Sequence, residues 1–196
     1  MADHSDSQSV LLVPGQTAIA DIERIALAGH KVLLSPQALA HIASGHACLL
    51  RHIAAGTTIY GVSTGLGANV DIARQPSTAH AQQNAVIWAR ASGTGPAATD
   101  AQVRAMVAVR LARLALGRSG MSPAAAMALV DMLNNHITPV VPLVGALSEG
   151  DLAPMAHIAS ILTGKGHASV AGRASVSGAE AFAQAGLSLP ALGPKD

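Results

Sequence analysis

The segment that decides the fold lies at residues 139–154 and reads PVVPLVGALSEGDLAP. Each proline fixes its own φ and disfavours helical geometry for the residue before it, so a helix arriving from residues 124–136 ends here. Asp151 precedes an apolar run with helical spacing, and its carboxylate suits the cap of a new helix. The segment therefore predicts a buried turn that carries residues 148–150 to a helix N-terminus.

The composition of the 196-residue chain indicates one domain with a sizeable core and a surface that needs cover. Half of the residues are hydrophobic and only 12% are charged, which is unusual for a self-contained soluble monomer. A formal net charge of +1 with one Trp, one Tyr and one Phe offers neither a basic stripe nor a stacking platform for nucleic acid. No stretch of about 18 apolar residues suits a membrane span. We therefore expect an oligomer that binds neither nucleic acid nor membrane.

The two ends of the chain differ in their predicted order. Residues 1–16 start with acidic residues and lack the basic and apolar parts of a signal peptide, so a flexible tail is expected there. Residues 17–196 are expected to form one domain. The single Cys48 lies among apolar residues, which suits a reducing cytoplasm.

Apolar residues recur at helical spacing along most of the chain, and turn-forming residues separate the periodic stretches. Residues 31–34 and 57–62 favour short extended segments, and residues 164–175 favour a hairpin. The helix at residues 101–116 carries apolar side chains on every side, a pattern typical of burial in a larger assembly. The predicted helices cover residues 17–28 with Thr17 as the cap, 36–55, 77–91, 101–116, 122–136, a stretch after 151, and 175–186.

A glycine-rich loop at residues 60–67 reads YGVSTGLG and holds Tyr60, the only tyrosine of the chain. The loop resembles the Tyr-Gly-x-x-Thr-Gly-Phe-Gly loop of the histidine and aromatic amino acid ammonia-lyases. PVVP at residues 139–142 and GPKD at residues 193–196 are also similar to motifs of that family. The resemblance, which runs from about residue 17 onward, implies a mainly α fold: the N-terminal domain of the ammonia-lyase fold, with a few short strands.

The family's electrophile, methylidene-imidazolone (MIO), forms from an Ala-Ser-Gly triad before Asp-Leu-x-Pro, and here the sequence departs from that pattern. Aligned on the following Asp-Leu pair, the triad is Ser148-Glu149-Gly150, and glutamate has no β-hydroxyl to lose as water. A one-residue gap would make Ser148 central, but the bulky Glu149 would then have to supply the attacking nitrogen. We therefore expect no MIO and no other cofactor.

Glu149 has several possible roles. A carboxylate on a glycine-flanked loop near a helix N-terminus suits a general acid or base, or a clamp for a cationic group of a substrate. It equally suits a cap of the following helix, or a residue that fills the place of a lost cofactor. Asp151 is expected to be a structural cap.

The resemblance implies that Tyr60 is the catalytic acid or base on a mobile lid. A free phenol has a pKa of about 10, so proton abstraction at neutral pH requires positive charge or helix dipoles nearby. The alternative is a strand tyrosine whose hydroxyl bonds to the backbone.

Gly67, Trp88 and Arg90 are expected to contact the substrate. Ala89 and Arg90 stand where the family carries its substrate-selecting pair, often Ser-His, so the sequence argues against histidine or tyrosine as the substrate. The Arg90 guanidinium could hold a carboxylate in a bidentate pair. It could equally be a solvated helix end.

A metal site is not expected, although the chain has nine histidines. His41 and His52 share one helical face, but their eleven-residue separation places them roughly 16 Å apart, too far to bind one ion. No cysteine pair or His-Glu-x-x-His pattern accompanies them.

The enzymes of this family are much longer, and several of their active-site residues lie beyond the matched positions. The leading hypothesis is the N-terminal part or small subunit of a carbon-nitrogen lyase, which eliminates ammonia or an amine from an amino acid-like substrate to give an unsaturated acid. A second polypeptide that carries the C-terminal helical bundle would complete the site. The alternative is a catalytically inactive structural or regulatory partner of a lyase.

Overall fold

The computed structural model describes residues 8–73, 79–145 and 152–196, and helices dominate this part of the chain, as predicted. The helices are α1 (Ile19–Ala26), α2 (Pro36–Ala54), α3 (Ala79–Arg90), α4 (Asp100–Leu114), α5 (Pro123–Asn134), α6 (Leu152–Leu162) and α7 (Gly178–Gln184). The strands are β1 (Ser9–Leu12), β2 (Lys31–Leu34), β3 (Thr94–Ala97), β4 (Ile137–Pro139), β5 (Pro142–Val144), β6 (His167–Val170) and β7 (Val176–Ser177).

Strands β1 and β2 pair in parallel and are connected through α1. Val10 and Leu12 of β1 alternate with more exposed residues and are buried in the core, together with Val32 of β2. The expectation of a flexible tail over residues 1–16 is therefore wrong for residues 9–12. Pairing with β2 satisfies the backbone of this stretch, and burial of alternate side chains holds it against the core.

The N-cap of helix α1 lies one residue later than predicted. It is Ala18, not Thr17, and the Ala18 N–H donates a 2.8 Å hydrogen bond to the carboxylate of Asp21. This bond and the neighbouring Arg24 guanidinium lower the pKa of Asp21. The Asp21 carboxylate, inside the first turn, therefore caps the start of α1 in place of Thr17.

Helix α2 begins where the sequence predicts it. The Ser35 hydroxyl accepts a 3.1 Å bond from the Ala38 N–H, and Pro36 occupies the first turn. Near the middle of the helix, a Cβ on Gly45 would lie only 2.0 Å from the carbonyl oxygen of Gly117. Glycine at this position therefore lets α2 pack directly against the turn that follows α4.

Helix α4 lies at the centre of the core. Its buried residues include Val103, Val107 and Leu111, and it packs against α1, α5 and β4. Other elements of this chain therefore provide much of the cover that we expected from a larger assembly. Val109 remains 49% exposed on the same helix.

Arg104 is a buried arginine on α4 that joins three other segments. Its guanidinium donates to the carbonyl oxygens of Ile25 and Leu133 at 2.9 Å each, and to that of His30 at 3.5 Å. Burial lowers the pKa of Arg104, while the nearby Asp100 acts in the opposite direction. The side chain satisfies carbonyls near the C-terminal ends of α1 and α5, where helices leave such groups unpaired.

The segment that stops α5 forms two short strands, which the sequence did not predict. Strand β4 pairs with β6, and β6 with β7, so the predicted hairpin at residues 164–175 is confirmed. Strand β5 pairs antiparallel with β3. Val141, between β4 and β5, is fully buried, in agreement with the predicted buried turn.

Candidate functional site

The loop around Tyr60 is built from turns. The Ile59 carbonyl accepts 3.0 Å bonds from the N–H groups of Val62 and Ser63, and the Ser63 hydroxyl accepts a 2.8 Å bond from the Ile59 N–H. The expectation of an extended segment at residues 57–62 is therefore wrong. Local hydrogen bonds from the serine and the glycine-rich chain outweigh the extended preference of the β-branched residues.

Glycines in this loop serve close backbone contacts. A Cβ on Gly65 would lie 2.0 Å from the carbonyl oxygen of Asn69, so no side chain fits there. The Gly65 N–H donates a 2.9 Å bond to Ile72, and Thr64 forms an isolated β-bridge with Ala73. Residues 72 and 73, which follow the glycine motif, therefore fold back and pair with residues 64 and 65.

Tyr60 and Gly67, both predicted site residues, lie together in the structure. The Gly67 N–H donates a hydrogen bond of 2.9 Å to the hydroxyl oxygen of Tyr60, and the tyrosine side chain is 54% exposed. A phenol hydroxyl carries one proton to donate and two lone pairs. The bond from Gly67 uses one lone pair and leaves the proton and the second lone pair for a substrate.

Arg90 ends helix α3 and lines two cavities. One, of about 440 Å³, lies between α3 and residues 59–73, called here the tyrosine loop, with Leu66, Asn69 and Ile72 in its wall. The other, of about 340 Å³, is mostly apolar and also contains Arg110. Burial lowers the pKa of Arg110, and the neighbouring charge of Arg113 adds to this effect. The structure thus brings Arg90 beside the tyrosine loop, and its contact with a substrate stays a prediction.

Trp88 takes part in contacts within the chain. Its indole N–H donates a 2.9 Å bond to the hydroxyl of Thr163, and the Lys165 ammonium lies 3.5 Å from the centre of its ring. Such a cation–π contact occupies one face of the indole ring. The geometry therefore favours a structural role for Trp88 over the predicted contact with substrate.

The predictions for Ser148, Glu149, Gly150 and Asp151 concern residues outside those described, and they stay predictions. The described residues on either side of that segment lie near the elements named above. A Cβ on Gly145 would come 3.1 Å from the Cα of Gly93, and Leu152 lines the same cavity as Arg90 and Arg110.

Gly93 is itself fixed by a histidine that the sequence did not single out. The Gly93 N–H donates a 3.0 Å bond to Nε2 of His157 on α6, and burial lowers the pKa of His157. Burial therefore favours the neutral imidazole, whose Nε2 accepts this bond. Nothing in the sequence distinguishes His157 from the other histidines, because its partner lies 64 residues away.

Two further features concern the residues that the structure describes. Across residues 8–73, 79–145 and 152–196, no group of three or more His, Cys, Asp or Glu side chains is arranged to hold a metal ion. Within the same ranges, no helix combines the length and the apolar character that crossing a membrane requires.

The chain is similar in sequence to known lyases over nearly all of its length. A family profile described as aromatic amino acid lyase matches residues 17–196. Histidine ammonia-lyase from Paracidovorax citrulli (strain AAC00-1) is 38% identical over 191 residues, which make up 96% of this chain and 37% of that protein. Histidine ammonia-lyase from Vibrio cholerae is 34% identical over 190 residues, which are 95% of this chain and again 37% of the relative. The chain thus spans under two fifths of the length of these relatives.

Solved structures resemble the fold closely. Ergothionase from Treponema denticola, an ergothioneine-degrading enzyme, matches with a TM-score of 0.93 and 26% identity over 96% of this chain and 38% of that chain. Phenylalanine aminomutase from Pantoea agglomerans matches with a TM-score of 0.90 and 30% identity over 96% of this chain and 36% of that chain. These similarities confirm the predicted fold, that of the N-terminal portion of an ammonia-lyase.

Proposed function

Because the chain belongs to the aromatic amino acid lyase family, we propose that it is the N-terminal part of a carbon-nitrogen lyase. The reaction eliminates ammonia or an amine from an amino acid-like substrate and leaves an unsaturated acid. The observation that carries the proposal is the placement of Tyr60. Its exposed hydroxyl is oriented by the Gly67 N–H, on a loop that shares a cavity wall with Arg90.

The elimination breaks one C–H bond and one C–N bond and forms one C=C bond. A base removes a proton from the carbon next to the one that bears nitrogen, and the electrons of that C–H bond form the C=C bond. The C–N bond breaks, and the amine leaves with the bonding pair. Tyr60 is the residue assigned to proton transfer: acting as the phenolate, its oxygen takes up this proton and becomes the hydroxyl that the Gly67 N–H holds in a fixed direction.

Arg90 is assigned to the carboxylate of the substrate. A guanidinium binds a carboxylate through two parallel N–H bonds, which fixes its orientation as well as its position. The cavity beside Arg90 has a volume of about 440 Å³, within the usual range of small-molecule sites. The neighbouring apolar side chains suit the remainder of an amino acid.

The sequence Ser148-Glu149-Gly150 does not fit the formation of MIO, and the proposed reaction does not use this group. Glu149 has no hydroxyl group to eliminate, so the dehydration that completes the ring has no leaving group. The substrate must then carry an amine that leaves readily, and a trialkylammonium group does so as a neutral amine without first gaining a proton. Glu149 is assigned as a clamp for this cation. The similarity to an ergothioneine-degrading enzyme supports this choice of substrate class.

A second polypeptide is proposed to complete the site. The relatives extend far beyond the matched residues. Apolar side chains are exposed on several elements of this chain, among them Ile19 at 80%, Leu27 at 74% and Leu152 at 63%. A partner that buries these side chains would remove this apolar surface from water.

The test is turnover by the chain co-expressed with a polypeptide that supplies the rest of the lyase. The substrates are ergothioneine, L-histidine, L-phenylalanine and L-tyrosine, the last three each with and without N-trimethylation. Absorbance of the conjugated acid and release of the amine are measured together. We expect turnover of the trimethylated compounds, and little with the free amino acids. A well-assembled complex that turns over none of them would support the inactive structural partner instead.

A further inference from the structure

The C-terminal turn at residues 193–196 contacts the loop that carries Tyr60. The Lys195 ammonium donates a 2.8 Å hydrogen bond to the backbone carbonyl oxygen of Tyr60. It also lies 3.8 Å from the position that a Cβ would take on Gly61. Because the acceptor is a backbone atom, this contact fixes the course of the chain at Tyr60 without engaging the phenol.

The turn that presents Lys195 is itself anchored to the core. The Asp196 carboxylate accepts bonds from the Ser122 hydroxyl at 2.9 Å and the Gly193 N–H at 2.8 Å, and a third from the Ser122 N–H. Ser122 is the N-cap of α5, whose Ala125 N–H donates to the same hydroxyl. Lys195 is thus mounted on a turn that is joined to the start of a buried helix.

Two further observations concern this lysine. Its φ is 71°, in the left-handed region that side chains rarely adopt, a geometry that His136 and Ala171 share with it among the described non-glycine residues. Among the described residues, the other hydrogen bonds of residues 59–73 are made within that stretch. Within the part of the chain that the structure describes, the bond from Lys195 is therefore the long-range hydrogen bond that ties the loop to the domain.

We infer that Lys195 is a positioning residue for Tyr60: its ammonium holds the tyrosine loop against the anchored C-terminal turn. The inference rests on the proposed function, in which Tyr60 transfers the proton. Loss of the bond lets the loop move, and a displacement of about 1 Å at a reacting group can slow chemistry up to about 100-fold. Because Lys195 donates to a backbone carbonyl and acts through Tyr60, its loss is expected to lower kcat far more than it changes KM.

The experiment measures amide hydrogen exchange of the loop in the co-expressed complex. In Lys195→Met, which keeps the apolar stem, peptides within residues 59–73 should exchange roughly tenfold faster, because one charge-assisted bond is lost. Lys195→Arg should restore slow exchange. Lys195→Gly provides a second variant, since glycine adopts the positive φ without strain, and its loop should again exchange faster. The matched control is Lys165→Met, whose ammonium lies on Trp88 and whose loss should leave the loop unchanged.

Exchange in peptides of α4 and α5 reports whether each variant is folded. Native exchange there, combined with an unchanged loop in both Lys195→Met and Lys195→Gly, would overturn the inference. So would a fall in activity that Lys195→Arg fails to recover. Tyr60→Phe separates the proton-transfer role of Tyr60 from the positioning role of Lys195, because the variant keeps the backbone carbonyl that Lys195 binds. Full activity of Tyr60→Phe would contradict the proton-transfer role. Amide hydrogen exchange of residues 59–73 tests the Lys195 contact independently of that role.

Discussion

The hydroxyl oxygen of Tyr60 lies 2.9 Å from the backbone nitrogen of Gly67, whose N–H donates to it. The two residues are seven positions apart, so the loop has to curl for them to meet. The positive φ values of Gly61 and Gly67, 73° and 58°, make this curl possible because glycine adopts such geometry without strain. The glycine motif therefore orients one phenol, which identifies Tyr60 as the first residue to test.

Replacement of Tyr60 by phenylalanine should lower kcat of the complete enzyme by roughly 10²- to 10⁴-fold, as expected when a general acid or base is lost. The fold should persist, since an exposed Gly67 N–H can bond to water, and the change in unfolding free energy should stay within about 0.5 kcal/mol. Steady-state kinetics and thermal unfolding of the complex provide both numbers. Turnover equal to that of the unaltered enzyme would leave Tyr60 with a packing role only.

Arg104→Lys should destabilise the domain by about 2 kcal/mol or more. Arg104 donates to the carbonyls of Ile25 and Leu133 at once, and a lysine ammonium lacks the planar fork that reaches both. Urea unfolding of the complex measures the cost. The control is Arg24→Lys, which alters an exposed ion pair with Asp21 and should change stability by less than about 1 kcal/mol. Equal stability of the two variants would refute the role of Arg104 as a clamp.

The helices could be predicted because their signals are local. Ser35 and Ser122 are followed by proline and cap α2 and α5, and Thr99 caps α4. Each of these signals depends only on residues within one or two turns. The two-strand sheet of β1 and β2 could not be read in this way, since the order of residues 9–12 depends on pairing with residues 31–34.

The same distinction between local and long-range contacts applies to the candidate site. Tyr60 and Gly67 belong to one continuous motif, so both could be predicted as site residues from the sequence alone. Lys195 lies 135 residues from Tyr60, and its motif carried no hint of the contact. Trp88 was placed near the substrate by its neighbours in sequence, but its indole is directed to Thr163 and Lys165. Tertiary contacts decide such cases, and the sequence does not display them.

His157 should make the stability of the domain sensitive to pH. In the unfolded chain its imidazole takes up a proton near the ordinary pKa of 6.5, whereas in the folded state burial lowers that pKa. The unfolded state then binds more protons in the window between the two values, so stability rises with pH there and is lost as pH falls below about 6.5. Protonation also removes the acceptor of the Gly93 N–H.

His157→Gln should flatten this dependence, because the amide oxygen can accept the same bond but does not titrate. Thermal midpoints measured between about pH 5 and about pH 7.5, across the usual range of histidine titration, test the expectation. The difference between the original protein and the variant isolates His157 from the other histidines. Parallel profiles for the two proteins would show that His157 is not the group responsible.

The chain expressed alone should self-associate, aggregate or remain inactive. Its exposed apolar residues include Ile19 and Leu152, at 80% and 63%, and obligate assemblies of this kind bury on the order of 2,000 Å² or more. Co-expression with the remaining part of a lyase should instead give a soluble oligomer. Size-exclusion chromatography with light scattering distinguishes the two. A monodisperse, stable monomer of this chain would contradict the need for a partner.

The purified chain should contain no MIO. Ring formation removes two waters, a deficit of about 36 Da that is detectable as a covalent modification, and the central Glu149 cannot supply the second water. Intact mass spectrometry of the co-expressed complex should therefore give the unmodified mass. Digestion then isolates the peptide that spans Ser148, Glu149 and Gly150. A deficit of two waters confined to that peptide would contradict the assignment of Glu149 and would show that the chain forms the family's usual electrophile.

The double variant Ser148→Ala/Glu149→Ser restores the Ala-Ser-Gly triad and provides the converse test. If the deficit appears in this variant alone, residues 148 and 149 are what prevents ring formation in the original chain.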